Sequence, residues 1–197
     1  MRSTRNTRRP GGDAAGMLVL FFLAAVLAPP LLWPPAAVQA ATAAELNKNG
    51  SAVLAKLYKS VPKAKELAAK AKGILVFPSI VKAGFMVGGL FGEGVLLKDS
   101  KPVVYYSTVA ASYGYQAGVQ KYGYAMFLMN DKALEYLDKS DGWEVGTGPS
   151  IVVLDQGAAG GLSTTSVRDD VYAFIFNQTG LMAGAGLQGS KITKIEK

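Results

Sequence analysis

The 197-residue sequence contains no cysteine and no histidine. Without an imidazole base, Ser-His-Asp and Cys-His nucleophilic centres are excluded together with every histidine-based metal site. Without a thiol there is no disulfide to brace the fold and no cysteine to carry a lipid, so packing and backbone pairing alone must hold the structure. The acids are few, 14 in all, and none falls in the D-x-D-x-D-G pattern of a calcium loop. No metal or cofactor is therefore expected. Internal repeats at periods of about 20 to 50 residues are also missing, which argues against a solenoid or propeller.

What is present begins with a leader. Arg2, Arg5, Arg8 and Arg9 precede an apolar run from Gly16 to Ala28, GMLVLFFLAAVLA. This is the order of a secretory signal peptide. Pro29, Pro30, Pro34 and Pro35 follow, and a membrane-spanning helix of about 20 residues would have to accommodate them, so a cleaved leader is preferred over an anchor. Small residues at Val38 and Ala40 place the cleavage after Ala40. Arg8-Arg9 resembles a twin-arginine signal, but Pro10-Gly11-Gly12-Asp13 stands where an apolar residue should follow. The expected product, residues 41–197, is one exported domain, periplasmic or secreted, that can lie peripheral to a membrane.

Beyond residue 40 the chain holds 17 basic and 13 acidic side chains, and the excess is local. Lys59, Lys63, Lys65, Lys70 and Lys72 stand against Glu66 alone, whereas residues 73–197 sum to −1. Leu46, Gly50, Val53, Leu54, Leu57 and Val61 recur at helical spacing, predicting an amphipathic helix that Pro62 ends. A second short helix then carries Ala64, Leu67, Ala68 and Ala71 on one face and stops at Gly73. Branched and aromatic runs with glycine between them read as strands, with a turn at KDSKP and a capped helix at residues 130–140 whose Leu134 and Leu137 point inward. In residues 85–96 one alternate face, Met86, Gly88, Leu90, Gly92, Gly94 and Leu96, is so poor in side chains that it must lie close against another backbone. The predicted class is α+β, with N-terminal amphipathic helices packed on a glycine-rich, mainly antiparallel sheet or open barrel.

Motifs of catalysis fail on context. Gly184-Ala-Gly186-Leu-Gln-Gly189 fits G-x-G-x-x-G, but eight residues follow where a dinucleotide site needs a helix and an acid about 20 residues on. Ser112 in ASYG has no histidine to activate it. Ser79-Ile-Val-Lys82 matches the S-x-x-K of penicillin-interacting enzymes, and Ser140-Asp141-Gly142 echoes their second element. That chemistry needs a helix start at Ser79, yet the surrounding VFPSIV reads as strand and no K-T-G follows. Tyrosines at 105, 106, 113, 115, 122 and 124 offer stacking faces, but no basic residue lies between Pro102 and Gln120, so nucleic acid is not an expected partner.

The lysine-edged helix has two readings. It is built to lie on an anionic membrane, each lysine adding ~1 kcal/mol, or it is the solvated face of a helix docked on its own sheet. The stretches LYKSVPKAKELAAKAKGILVFPSIVKAGFMVGGLFGEGVLL, YYSTVAASYGYQAGVQ, LDKSDGWEVGTGPSIVVLD and YAFIFNQTGLMAGAGLQGSKITKI resemble the SYLF domain, also called the Ysc84-type actin-binding domain, from about Leu46 onward. The resemblance implies a lipid-binding module without known enzymatic activity. Eukaryotic relatives bind phosphoinositides through a basic amphipathic segment and some bundle actin; bacterial relatives are typically exported. By position, Lys59, Lys63, Lys65, Lys70 and Lys72 would be the headgroup contacts, and an anionic phospholipid surface the partner. No SH3 or FYVE module accompanies the domain in this sequence. An envelope interaction domain without a lipid ligand and a small outer-membrane barrel are the competing expectations.

Overall fold

A computed structural model describes residues 40–139, 143–144, 148–155 and 169–197, with the backbone alone for residues 113–116, 143–144, 155 and 183–190. The predicted leader up to Gln39 and the motif Ser140-Asp141-Gly142 lie outside the described residues.

The chain opens with helix α1 (Ala43–Ser60) and helix α2 (Pro62–Ala68). Thr42 starts α1 through a capping box: its hydroxyl accepts from Glu45 N at 3.2 Å, and Glu45 Oε2 accepts from Thr42 N at 2.8 Å. Pro62 sets the first turn of α2, where its missing N–H costs nothing. Leu46, Gly50, Leu54 and Leu57 of α1 and Ala64 and Leu67 of α2 are buried, as the helical spacing predicts.

Strands β1 (Gly73–Lys98) and β2 (Lys101–Leu128) form one hairpin around Asp99 and Ser100, whose φ values of 51° and 63° give the primed turn that fits strand twist. After α3 (Asp131–Lys139) come β3 (Trp143–Glu144), β4 (Ile151–Asp155) and β5 (Val171–Ile195). The sheet order is β1-β2-β5-β3, with β4 joined to β5 in parallel and every other pair antiparallel. Among the described residues its two ends do not meet, so it is an open, curled sheet.

Curling is forced by length. A straight 26-residue strand would reach ~85 Å, whereas a domain of this size has a radius of gyration of only ~15 Å. The sheet bends along a crease where irregularities align across three strands. Pro78 and Ser79 bulge from β1, Gly123 lies at that level in β2, and Asn177 and Gln178 bulge from β5 with Asn177 at φ 53°. The reversal of β1 is at Met86, φ 61°: Phe85 pairs with Ala117 and Val87 with Tyr113, so three residues of β2 span one of β1, and a Cβ on Gly84 would lie 2.5 Å from Gly88 Cα. The strand then comes back over itself. A Cβ on Gly92 would lie 3.1 Å from Ser79 O, and one on Gly94 would lie 2.7 Å from Val76 O and 2.6 Å from Phe77 Cδ1. The glycine face does press on a backbone, and the backbone is that of its own strand.

Two cores result. Inside the curl, Leu75, Phe77 and Ile80 meet Leu90, Leu96, Tyr106, Met126 and Ile192, with Ala133 and Leu137 of α3 closing the cluster. On the other face, Leu54, Leu57, Val61, Ala64 and Leu67 cover Val76, Val95, Leu97, Phe127 and Phe174. A single carboxylate fastens α3 and β4 to the start of β5. Asp170 accepts from Asn130 Nδ2 at 2.7 Å, Ser150 N at 2.9 Å and Lys132 Nζ at 3.2 Å. The Asn130 amide, then the Ser150 N–H, hold its carboxyl down from 3.8 to about 2.

Two outcomes are expected. Gly94→Ala places a methyl group against Phe77 and the Val76 carbonyl and should lose ~2 kcal/mol or more in urea denaturation. Gly89→Ala, whose Cβ meets nothing nearer than Ala110 O at 3.8 Å, should stay within ~0.5 kcal/mol of the parent. Because Asp170 is depressed in the folded state, its contribution is present above about 3.8 and disappears as pH falls through about 2. The urea midpoint of the parent should therefore drop across that interval, and Asp170→Asn should start lower at neutral pH and lack that part of the fall.

Candidate functional site

The five lysines read from the sequence lie on the last turn of α1, on α2 and on the segment leading into β1. Lys59, Lys65, Lys70 and Lys72 are exposed, and Lys63 is half-buried with an ion pair to Glu66 at 3.4 Å. Lys59 and Lys65 also sit in helix last turns, where they complement the macrodipole. The apolar stripe between the lysines is not available to a membrane. Leu57, Ala64 and Leu67 are fully buried against the sheet, and Ala68 and Ala71 pack beside them. What this face presents to a partner is charge alone.

A second surface is apolar. It lies on the outer side of the bend, where Val81, Phe85, Val87 and Phe91 of β1 are exposed together with Met86 at the reversal. Their cross-strand neighbours continue the face. Phe91 pairs with Val109, and Ala83 pairs with Val119, which in turn pairs with Leu181. Leu181 is 88% exposed and Phe85 76%, and eight of the ten large apolar side chains exposed among the described residues belong to this region. The outward positions contain no acid from Val81 to Phe91, from Val109 to Lys121 or from Thr179 to Leu181. Lys121 pairs with Val81 at one limit of the face, and Lys191 pairs with Val109 at the other.

The two surfaces occupy opposite ends of the domain. Helix α1 starts beside Glu93, where Ala41 N donates to Glu93 Oε2 at 2.9 Å, and passes Tyr105, whose hydroxyl donates to Asn47. Gly50 then rests on Val95 and Val76. The lysine segment ends where Lys72 N donates to Leu128 O at 2.8 Å, at the first residue pair of the β1–β2 ladder. The chain thus runs from near the bend to the open strand ends.

Sequence reasoning found the lysines and missed the apolar face. Its signal was available: if the glycines of residues 86–96 face inward against a backbone, then Phe85, Val87 and Phe91 face outward. Which alternate face is covered depends on the curl, and no local pattern reports that.

The catalytic motifs do not assemble. Ser79 lies in the extended chain of β1, where Lys82, three residues on, is ~10 Å further along the strand. Ser112 is buried within β2, and residues 184–189 run as strand through β5. Tyr106 is fully buried, and Tyr122 and Tyr124 pack on the core inside the curl. Burial pushes Tyr122 up to about 12 and raises Tyr106 and Tyr124 as well, so these phenols stay protonated at ordinary pH. Among the described residues no three acids come together to hold a metal ion, and no helix is long and apolar enough to cross a membrane.

No curated protein matches the chain. A family model does: Ysc84, described as Las17-binding protein actin regulator, matches residues 109–197. The matched part contains most of β2 and all of α3, β3, β4 and β5, including Val109, Val119 and Leu181 of the apolar face. The same family was indicated by the segments that resemble it from Leu46 onward, and the N-terminal lysines lie before the matched residues. Residues 109–197 therefore match the SYLF, or Ysc84-type, domain family, the family that the sequence resembles from Leu46 onward.

Proposed function

We propose that the domain is an exported, non-catalytic module that associates with the surface of anionic phospholipid membranes. The outer face of the bend carries this reading: large apolar side chains stand in water there, no acid interrupts them, and a lysine lies at each limit. Contiguous exposed apolar surface of this kind marks an interaction site. A bilayer interface suits both parts of it, taking apolar side chains at the acyl boundary and ammonium groups against phosphate. The leader motivates export, to the periplasm or out of the cell. Lys59, Lys63, Lys65, Lys70 and Lys72 supply a second, electrostatic contact at the far end, the one the family resemblance suggests.

Vesicle cosedimentation of protein purified after expression of the full chain tests the reading. Phosphatidylglycerol, cardiolipin and phosphatidylinositol vesicles should bind it, with an affinity that falls as salt rises, and neutral phosphatidylcholine should bind it poorly. Fully transferring a Phe, Val or Leu side chain out of water contributes ~1.5–3 kcal/mol. The variant Phe85→Ser/Val87→Ser/Leu181→Ser should accordingly bind at least about 100-fold more weakly, even with transfer only partly complete, while staying folded. Replacing Lys63, Lys65, Lys70 and Lys72 by Gln removes at most ~1 kcal/mol each, all of it at low salt. If the parent binds no vesicle, the lipid reading fails and the apolar face belongs to a protein partner in the envelope. The non-catalytic part has its own check: a penicillin-type acylating probe should give no adduct, and a stoichiometric adduct lost in Ser79→Ala would restore an enzyme.

A further inference from the structure

We propose that Glu93 is the docking site for the α-ammonium group that removal of residues 1–40 creates on Ala41. The carboxylate of Glu93 is 12% exposed, and its two oxygens face two nitrogens. Oε1 accepts from Lys197 Nζ at 2.7 Å, and although residue 197 as a whole is exposed, its side chain is 9% exposed. Oε2 accepts from Ala41 N at 2.9 Å. In the uncleaved chain that nitrogen is a peptide N–H with one proton to donate and no charge. Hydrolysis of the Ala40–Ala41 bond adds water across it, leaving a carboxylate on Ala40 and, after protonation at neutral pH, an ammonium on Ala41. The same nitrogen then offers three donors and a full positive charge to an oxygen already in place, and charge-assisted bonds of this type are about twice as strong as neutral ones.

The surroundings fit a chain start at this position. The compact unit begins at Ala40, which is exposed, so its loss opens no cavity. Ordered hydrogen bonding begins immediately afterwards, with Leu46 N on Thr42 O and the Thr42–Glu45 capping box. Glu93 lies on the outward side of β1, in register with Ser107. The charged pair would tie the start of α1 to the returning half of β1.

This inference rests on the export reading, and one experiment separates the two. Protein is isolated from the extracytoplasmic fraction of cells expressing the full chain, weighed intact, and pulsed with an amine-acylating reagent near neutral pH. There an α-amine, with an ordinary pKa of about 7.7–8.0, reacts ahead of lysines near 10.4. The expected product begins at Ala41, and its α-amine is acylated about tenfold or more slowly than in Glu93→Gln. Comparison of the folded parent with the parent in urea gives the same readout if the variant does not fold. A chain that retains residues 1–40 overturns the export reading and the docking with it. A chain that begins at Ala41 but whose α-amine reacts as fast folded as unfolded, or one that begins elsewhere, overturns the docking alone.

Discussion

The contact of β1 with itself is the constraint on which the remaining structure depends. Gly92 and Gly94 lie so close to Ser79, Phe77 and Val76 that even one carbon more at either position intrudes on the facing half of the strand. Because that approach is open, a 26-residue strand folds into two layers. Its partner strands must follow, since β2 pairs with β1 along its whole length and β5 with β2. The reversal centres on Met86, and the aligned irregularities at Pro78–Ser79, Gly123 and Asn177–Gln178 crease the three strands together below it. A sheet bends without losing its ladder only if every strand gives at the same level.

The curl also determines what remains for other molecules. It closes one core within itself and leaves the back of the strand bases bare, and α1 and α2 use their apolar stripe to cover that back. The helices are therefore structural on one side and cationic on the other. At the bend no helix lies on the sheet in the described structure, and Phe85, Val87, Val119 and Leu181 are exposed. The division between a charged end and an apolar end follows from where the helices run out.

Local features of the sequence were legible in proportion to how local their causes are. The helix from Ala43 to Ser60, its stop at Pro62, the turn at Asp99–Ser100 and the inward Leu137 all follow from spacing, caps and turn chemistry within a few residues. The close approach at Gly92 and Gly94 was also readable, because a strand face without side chains has to meet something thin. The identity of that something was not. It depends on the reversal at Met86 and on partners that come much later in the chain. The same non-local cause hid the apolar face and turned the stripe between Lys59 and Lys72 inward: periodicity identifies a face that wants cover, and only the fold says whether it finds it.

The register between β2 and β5 governs how this fold is reached. The β1–β2 pairing is local at its turn, where Lys98 faces Lys101 across Asp99–Ser100. Tyr105, by contrast, waits for Ile195, 90 residues further on. Pairings that distant close large loops before they return any stabilisation, and chains rich in them fold slowly. Until residue 195 is available, one edge of β2 is an unsatisfied ladder, open to pairing with another chain. The glycines and alanines of β2 keep that waiting edge weak in side-chain adhesion, and Lys101 and Lys121 of the same strand put charge on it. The composition that allows the sheet to curl thus also lowers the hazard of the long interval before it does.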